Sequence, residues 1–227
     1  MRPLPSKEAV LTAYRQSVFL PAAIRVFGEC GFERATMDRI AREAEVAKGT
    51  IYLYYKSKQA MYDAALRSGI LELDERTRLR MDEMASLRDV IVSFIATRAE
   101  YFAEHPDFFR MYVGAVAAQI MKAGRGTDVQ SMLEHQTRRL EQAVARAVAR
   151  RVIRRVDSAA TALAIFDLTR GLLARRLTAH GHPDVTEEAG FLADLIWRGL
   201  NRPATAGDAG PRPRGRKGPA HRNKGKK

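Results

Sequence analysis

Cysteine is nearly absent from this sequence: Cys30 stands alone among 227 residues. One thiol excludes an internal disulfide framework and a cysteine-based zinc site. Its place just before Gly31 suits a small packing residue. Long apolar runs are missing as well. No stretch approaches the roughly 18 residues that a membrane-spanning helix needs, although 46% of residues are hydrophobic. The opening MRPLPSKEAV lacks the apolar centre of a signal peptide, so a cytoplasmic protein with no membrane partner is expected. No convincing period-2 segment occurs, which argues against strands. Chemistry-bearing constellations are equally scarce. There is no nucleophile–base set, no metal-ligand cluster and no phosphate-cradling glycine-rich loop. His105, His135, His180 and His182 are scattered. Neither an enzyme nor a bound cofactor or metal is expected.

Acidic charge is in deficit. Thirty-nine Lys and Arg face 26 Asp and Glu, for a net charge of +13. Residues 201–227 carry +8 of this and the rest of the chain +5, so the globular part is only mildly basic. The tail is rich in Pro, Gly and Ala and nearly free of large apolar groups. It cannot bury enough surface to fold and reads as a disordered basic tail. Two roles fit it equally: a solvating tail, or a non-specific DNA clamp that steepens salt dependence.

What is present is concentrated in Thr36 to Lys58, TMDRIAREAEVAKGTIYLYYKSK. Thr36 suits the N-cap of a short helix with Asp38 in its first turn. Ile40, Ala41 and Ala44 recur at helical spacing. Glu45 and Val46 read as a turn, and a second helix is expected from about Ala47 to Tyr54. Ile51 and Tyr55 are spaced to point inward, leaving Lys48, Thr50, Tyr52 and Tyr54 for the outer and leading faces. Lys48, Gly49 and Thr50 occupy the first turn, the end that enters the major groove in helix-turn-helix proteins. Gly49 allows close approach of a phosphate or base edge. Ser57 can cap a third helix, with Lys58 in its first turn beside free N–H groups.

The run from Val18 to Lys58 resembles the N-terminal domain of the TetR/AcrR family of transcriptional regulators. Ala22-Ala23, Val26-Phe27 and Gly31-Phe32 match its first helix and following turn. Thr36, Ile40-Ala41, Val46, Lys48-Gly49-Thr50-Ile51-Tyr52 and Ser57-Lys58 match the rest. The resemblance implies that Thr36, Tyr52 and Lys58 hold phosphates of double-stranded DNA, with Lys48, Thr50 and Tyr54 nearest the base edges. Three residues depart from the pattern. Pro21 falls inside the family's first helix, where an interior proline costs about 3 kcal/mol; a helix starting near Leu20 removes that cost and leaves Ser6 to Phe19 for a separate or bent extension. Glu45 replaces the usual turn glycine. Ala47 replaces a capping Ser or Thr worth about 1 kcal/mol.

From Gln59 to Leu200 helix follows helix. Spans are expected from Ser57 to Met84, Leu87 to Glu104, onward to Lys122, Asp128 to Arg151, Asp157 to Ala179 and Thr186 to Leu200, with a loop at residues 123–126. The expected fold is therefore all-α: an N-terminal extension (1–16), a three-helix helix-turn-helix domain (17–60), a helical ligand-binding and dimerisation domain (61–200) and the tail (201–227). The helix after Asp157 has two apolar faces, Leu163, Phe166, Leu173 and Leu177 on one and Ile165, Leu168 and Leu172 on the other. A helix with two such faces is either a central core helix or one pressed between its own core and a partner. The last helix is similarly rich in Phe191, Leu192, Leu195, Ile196, Trp197 and Leu200. The resemblance implies that these two helices form a four-helix bundle in a homodimer. Ile165, Leu168, Leu172, Leu195 and Ile196 are the candidate dimer contacts. Residues 94–112 are unusually aromatic, so Phe94, Tyr101, His105, Phe108, Met111 and Tyr112 are the candidate lining for a small hydrophobic or aromatic effector. The Arg pairs at 138–139, 150–151 and 154–155 read as solvated faces or helix C-terminal charges. These readings together suggest a ligand-responsive repressor on a palindromic operator. A constitutive DNA-organising protein dominated by its tail is the alternative.

Overall fold

The computed structural model describes residues 14–121, 128–176 and 184–201. The expected loop at 123–126, most of the N-terminal extension, the His180–His182 segment and the tail beyond Asn201 lie outside the described residues. The fold is all-α, with no strand among the described residues. Nine α-helices are described, α1 (Leu20–Arg34), α2 (Met37–Glu43), α3 (Lys48–Tyr52), α4 (Lys58–Asp82), α5 (Leu87–Glu104), α6 (Pro106–Met121), α7 (Asp128–Ala149), α8 (Ser158–Arg176) and α9 (Val185–Leu200).

Pro21 lies in the first turn of α1, where a missing N–H costs nothing. A π-helical turn, Arg15–Phe19, leads into it. Pro21 has no N–H for the carbonyl of Ser17, and the wider turn carries the chain past that gap. The regular part of α1 ends at Gly31, whose φ of 74° and ψ of 169° fall in a region essentially reserved for glycine. Side-chain oxygens cap the helices that follow: Thr36 accepts from the Arg39 N–H, Ser57 from Ala60, Ser86 from Asp89 and Asp157 from Ala160. Pro106 opens α6 directly after α5 ends at His105.

Two hydrophobic cores hold these helices. The first joins Val26 and Phe27 of α1, Ile40 of α2, Ile51 of α3 and Leu66 and Ile70 of α4 to Phe102, Phe108 and Tyr112 of α5 and α6. Its packing runs on without a break past residue 60. The second joins Ile91, Phe94 and Ile95 of α5 to Leu140 and Val144 of α7, Ile165 and Phe166 of α8 and Leu192 and Ala193 of α9.

The seam between the N-terminal helices and the rest is tight at two glycines. A Cβ on Gly28 of α1 would lie 2.4 Å from the backbone oxygen of Asp107 at the start of α6. Beside it, Arg110 pairs with Asp107 and its Nε donates to the Gly28 carbonyl at 3.2 Å. A Cβ on Gly69 of α4 would lie 2.2 Å from the Phe108 ring. The Tyr62 hydroxyl donates to the Met111 carbonyl at 3.3 Å, and that of Tyr101 to the Gly69 carbonyl at 3.2 Å. The first turn of α6 is thus keyed into both α1 and α4.

Candidate nucleic-acid interface

The helix-turn-helix forms as α2 and α3 with a tight turn between them. At the end of α2 the Glu45 N–H donates to the Arg42 carbonyl at 3.1 Å, and the Val46 N–H to the Ala41 carbonyl at 3.0 Å. This pair of bonds is a Schellman motif, and it puts Glu45 at the position that favours glycine. Glu45 indeed has φ 54°. The helix α3 is shorter than expected, since Leu53 and Tyr54 turn out of it. Its N-cap, Ala47, has suitable extended geometry but makes no side-chain cap bond. Ile51 is fully buried and anchors α3 to the first core.

Around that anchor the leading face of α3 is turned to solvent. Lys48, Gly49 and Tyr52 are exposed and Thr50 is half-buried. A Cβ at Gly49 would meet nothing within 4 Å, so internal packing does not require a glycine there. Lys48 donates to Asp38 of α2 at 2.8 Å, and this bond raises the ammonium pKa above its ordinary value. Thr36 is exposed at the cap of α2. Tyr54 is half-buried, its ring 5.5 Å from that of Phe19. Lys58 turns back toward α1. Its Nζ donates to the carbonyls of Phe32 at 2.8 Å and Glu33 at 3.1 Å and lies 4.4 Å from the centre of the Phe32 ring. It ties the end of α1 to the start of α4. Cross-helix ion pairs brace the unit on its outside, Arg25 with Glu43 at 2.6 Å and Arg39 with Glu29.

The six residues expected to line an effector site sit in the packed interior, apart from half-buried His105. Phe102, part of the same aromatic stretch but not among those six, is the hub: its ring lies 4.6 Å from Phe109, 5.3 Å from Tyr112, 5.8 Å from Tyr101 and 6.1 Å from Phe108. Phe94 sits in the second core instead, 6.5 Å from Phe166. Arg98 was passed over. It is 3% exposed, unlike the solvated arginine pairs at 138–139, 150–151 and 154–155. Burial lowers its pKa, while Tyr112 and Asp74 favour its charge.

Of the five candidate dimer contacts, Ile165 is 1% exposed and packs inside the subunit's own core. Leu168 and Leu195 are about half exposed, and Leu172 and Ile196 are half-buried against the second core. Phe191 and Leu163 also face solvent, Phe191 at 73%. An open, largely apolar groove of about 950 Å³ runs between α8 and α9, with Leu168, Gly171, Leu172, Phe191 and Leu192 along it. The spacing of Phe191 and Leu195, four apart on an exposed face, was the available signal for Phe191. Glu188, bonded by Arg175 at 2.6 Å and by Arg176, ties the end of α8 to the start of α9. The exposed arginine pairs behave as expected, and Arg154 Nε also donates to the Gly199 carbonyl at the end of α9.

Cys30 is half-buried, its thiol donating to the Val26 carbonyl at 3.0 Å. Among the described residues no helix is long and apolar enough to cross a membrane, and no group of His, Cys, Asp or Glu is placed to hold a metal ion.

Comparison with known proteins agrees with this geometry. The family model for bacterial regulatory proteins of the tetR family matches residues 19–65, the stretch from Phe19 through the first third of α4. The chain is similar to the uncharacterized HTH-type transcriptional regulator YhgD of Bacillus subtilis, 24% identical over 194 residues that cover 82% of this chain and 97% of that protein. It is also similar to the HTH-type transcriptional regulator UidR of Escherichia coli, 27% identical over 186 residues, covering 78% and 86%. Among solved structures, the fatty acid degradation regulator FadR from Bacillus halodurans shares the fold with a TM-score of 0.71 at 17% identity, covering 80% of this chain and 94% of that one. FadR from Bacillus subtilis in complex with stearoyl-CoA does so with a TM-score of 0.70 at 19% identity, covering 82% and 99%.

Proposed function

The chain belongs to the TetR family of bacterial transcription regulators, and from that premise we propose that it is a homodimeric repressor. Two copies of α3 would read a palindromic operator, and a small hydrophobic or aromatic molecule bound among the C-terminal helices would release it. The observation that carries the reading is the solvent-facing start of α3, where Lys48, Gly49, Thr50 and Tyr52 stand clear around the buried anchor Ile51. Lys48, Thr50 and Tyr54 take the base-edge roles, Tyr54 by the edge not packed on Phe19. Thr36, Tyr52 and Lys58 take phosphates. Lys58 has given two of its three N–H groups to carbonyls, which leaves one for DNA.

Two recognition helices must reach half-sites about 34–36 Å apart, which a two-fold dimer provides. The apolar groove between α8 and α9 and the exposed Phe191, Leu195, Leu168 and Leu163 support a second copy as its occupant. Residues 17–60 would act as the DNA-reading unit and 61–200 as the effector and dimer unit, coupled where α6 is keyed into Gly28 and Gly69. A ligand releases DNA to the extent that it prefers a conformer with wrongly spaced recognition helices. Lys48→Ala tests the base-edge assignment on operator variants. The expected result is a changed order of preference among them. A uniform loss on all of them would make Lys48 a phosphate contact.

The +8 charge of residues 201–227 favours one second reading, a constitutive DNA-organising protein. Removing residues 203–227 separates the two. The repressor keeps its operator preference, whereas the organiser loses most of its affinity and shows a shallower salt dependence.

A further inference from the structure

Leu53 closes α3. Its φ of −62° and ψ of −28° are still helical, and its N–H donates to the Gly49 carbonyl at 3.2 Å. Gly49 and Leu53 therefore stand one turn apart on a single face. At about 100° per residue that face lies opposite Ile51, the fully buried anchor. Lys48 and Tyr52 flank it on one side and Thr50 on the other. Leu53 is 72% exposed. The turn in front of it is bare, since a Cβ on Gly49 would meet nothing within 4 Å. Helical Cα–Cβ bonds tilt toward the N-terminus, so Leu53 leans over that bare turn.

A single exposed leucine is ordinary on a protein surface. This one stands in the middle of the face that the DNA reading sets against base edges. A glycine at position 49 lets the backbone come close to the groove, and Leu53 is then the large apolar side chain brought to the bases opposite the anchor. Hydrocarbon laid over a base donor or acceptor leaves that group unpaired, which costs affinity. The major-groove edges of the four base pairs carry one apolar group that suits it, the C5-methyl of thymine.

We infer that Leu53 is a specificity-determining residue of α3, seated on the C5-methyl of one thymine in each operator half-site. This rests on the DNA-reading assignment above and adds an apolar contact to the polar ones given to Lys48 and Thr50. It makes the centre of the reading surface a methyl detector, with the hydrogen-bonding side chains arranged around it.

The test uses the full chain and the duplex that it enriches from random DNA. Each thymine is replaced in turn by deoxyuridine, which keeps the base pair and removes only the methyl. Binding is read by fluorescence anisotropy at physiological salt. At one position uracil weakens binding about fourfold in one half-site and about fifteenfold in both, the effect of one uncovered methyl. Leu53→Ala brings that ratio to about one, while uracil at the other thymines acts as it does on the wild type and the melting temperature is unchanged. Leu53→Met, apolar and of similar volume, keeps the sensitivity. A Leu53 that merely supports α3 would weaken thymine and uracil duplexes alike in Leu53→Ala. An enriched site without thymine, a site with no uracil-sensitive position, or a sensitivity that survives Leu53→Ala overturns the assignment and leaves the sequence-reading regulator in place. Enrichment of no sequence at all would bring down that reading and the assignment with it.

Discussion

Glu45 occupies a backbone position that suits glycine, and replacing it should make the protein more stable. Its φ of 54° is fixed by the Schellman bonds from Glu45 and Val46 to Arg42 and Ala41, so the residue cannot relax without opening the turn. A non-glycine residue in the left-handed region costs roughly 1–2 kcal/mol. Glycine in its place adds unfolded-state entropy worth about 0.4–1 kcal/mol against folding. The Glu45 side chain is exposed, so its loss adds little. Glu45→Gly should then stabilise the chain by about 0.5–1 kcal/mol, or roughly 2–3 °C in melting temperature for a chain of this size. Glu45→Ala keeps the strain and serves as the control, with a change near zero. Thermal unfolding followed by circular dichroism at 222 nm (about the helix minimum) reads both. An unchanged or lower melting temperature for Glu45→Gly would refute the strain argument. Equal gains for Gly and Ala would refute it too, because they would assign the effect to charge.

Gly28→Ala places a methyl 2.4 Å from the Asp107 carbonyl oxygen, which neither backbone can yield cheaply; a loss of about 1–3 kcal/mol in urea unfolding is expected. Phe191→Glu puts a charge on the apolar face of α9, where the side chain is 73% exposed, and should turn a dimer into a monomer of unchanged helix content by sedimentation. The Tyr62 phenol, half-buried between Phe27 and Phe32, has its pKa pushed up from 10 to about 12 by burial. The unfolded chain therefore ionises first, and this contribution to stability, complete below pH 10, is lost between pH 10 and about 12. Tyr62→Phe should be less stable at neutral pH by the lost bond to Met111 but should lose less of its stability across that alkaline window.

Local chemistry made much of this molecule legible in its sequence. The caps Thr36, Ser57 and Asp157 and the breaks at Gly31 and Pro106 act through one or two neighbouring residues, and all of them mark helix ends in the fold. The strain at Glu45 and the missing cap at Ala47 were readable for the same reason. Pro21 was readable as a first-turn residue, but the π-helical turn before it was not, since that depends on how the chain absorbs one lost hydrogen bond. Side-chain direction across helices was harder. Lys58 carries the charge of a phosphate contact, yet its reach back to Phe32 and Glu33 depends on how α1 and α4 cross. Ile165 and Leu168 lie on one apolar stripe of α8, yet the neighbouring helices cover the first and leave the second half exposed. Arg98 was invisible because periodicity counts an arginine as surface, and tertiary packing alone puts it among three rings.

The central claim is that α3 presents a sequence-reading surface and that two copies act together. Selection of bound duplexes from random DNA, with the full-length chain at physiological salt, tests it most directly. The account predicts enrichment of a palindrome whose half-site centres lie about one helical turn or a whole multiple of it apart, with the enrichment lost in Phe191→Glu. Recovery of no preferred sequence, by a chain that still binds DNA indiscriminately, would contradict it and assign binding to the basic tail.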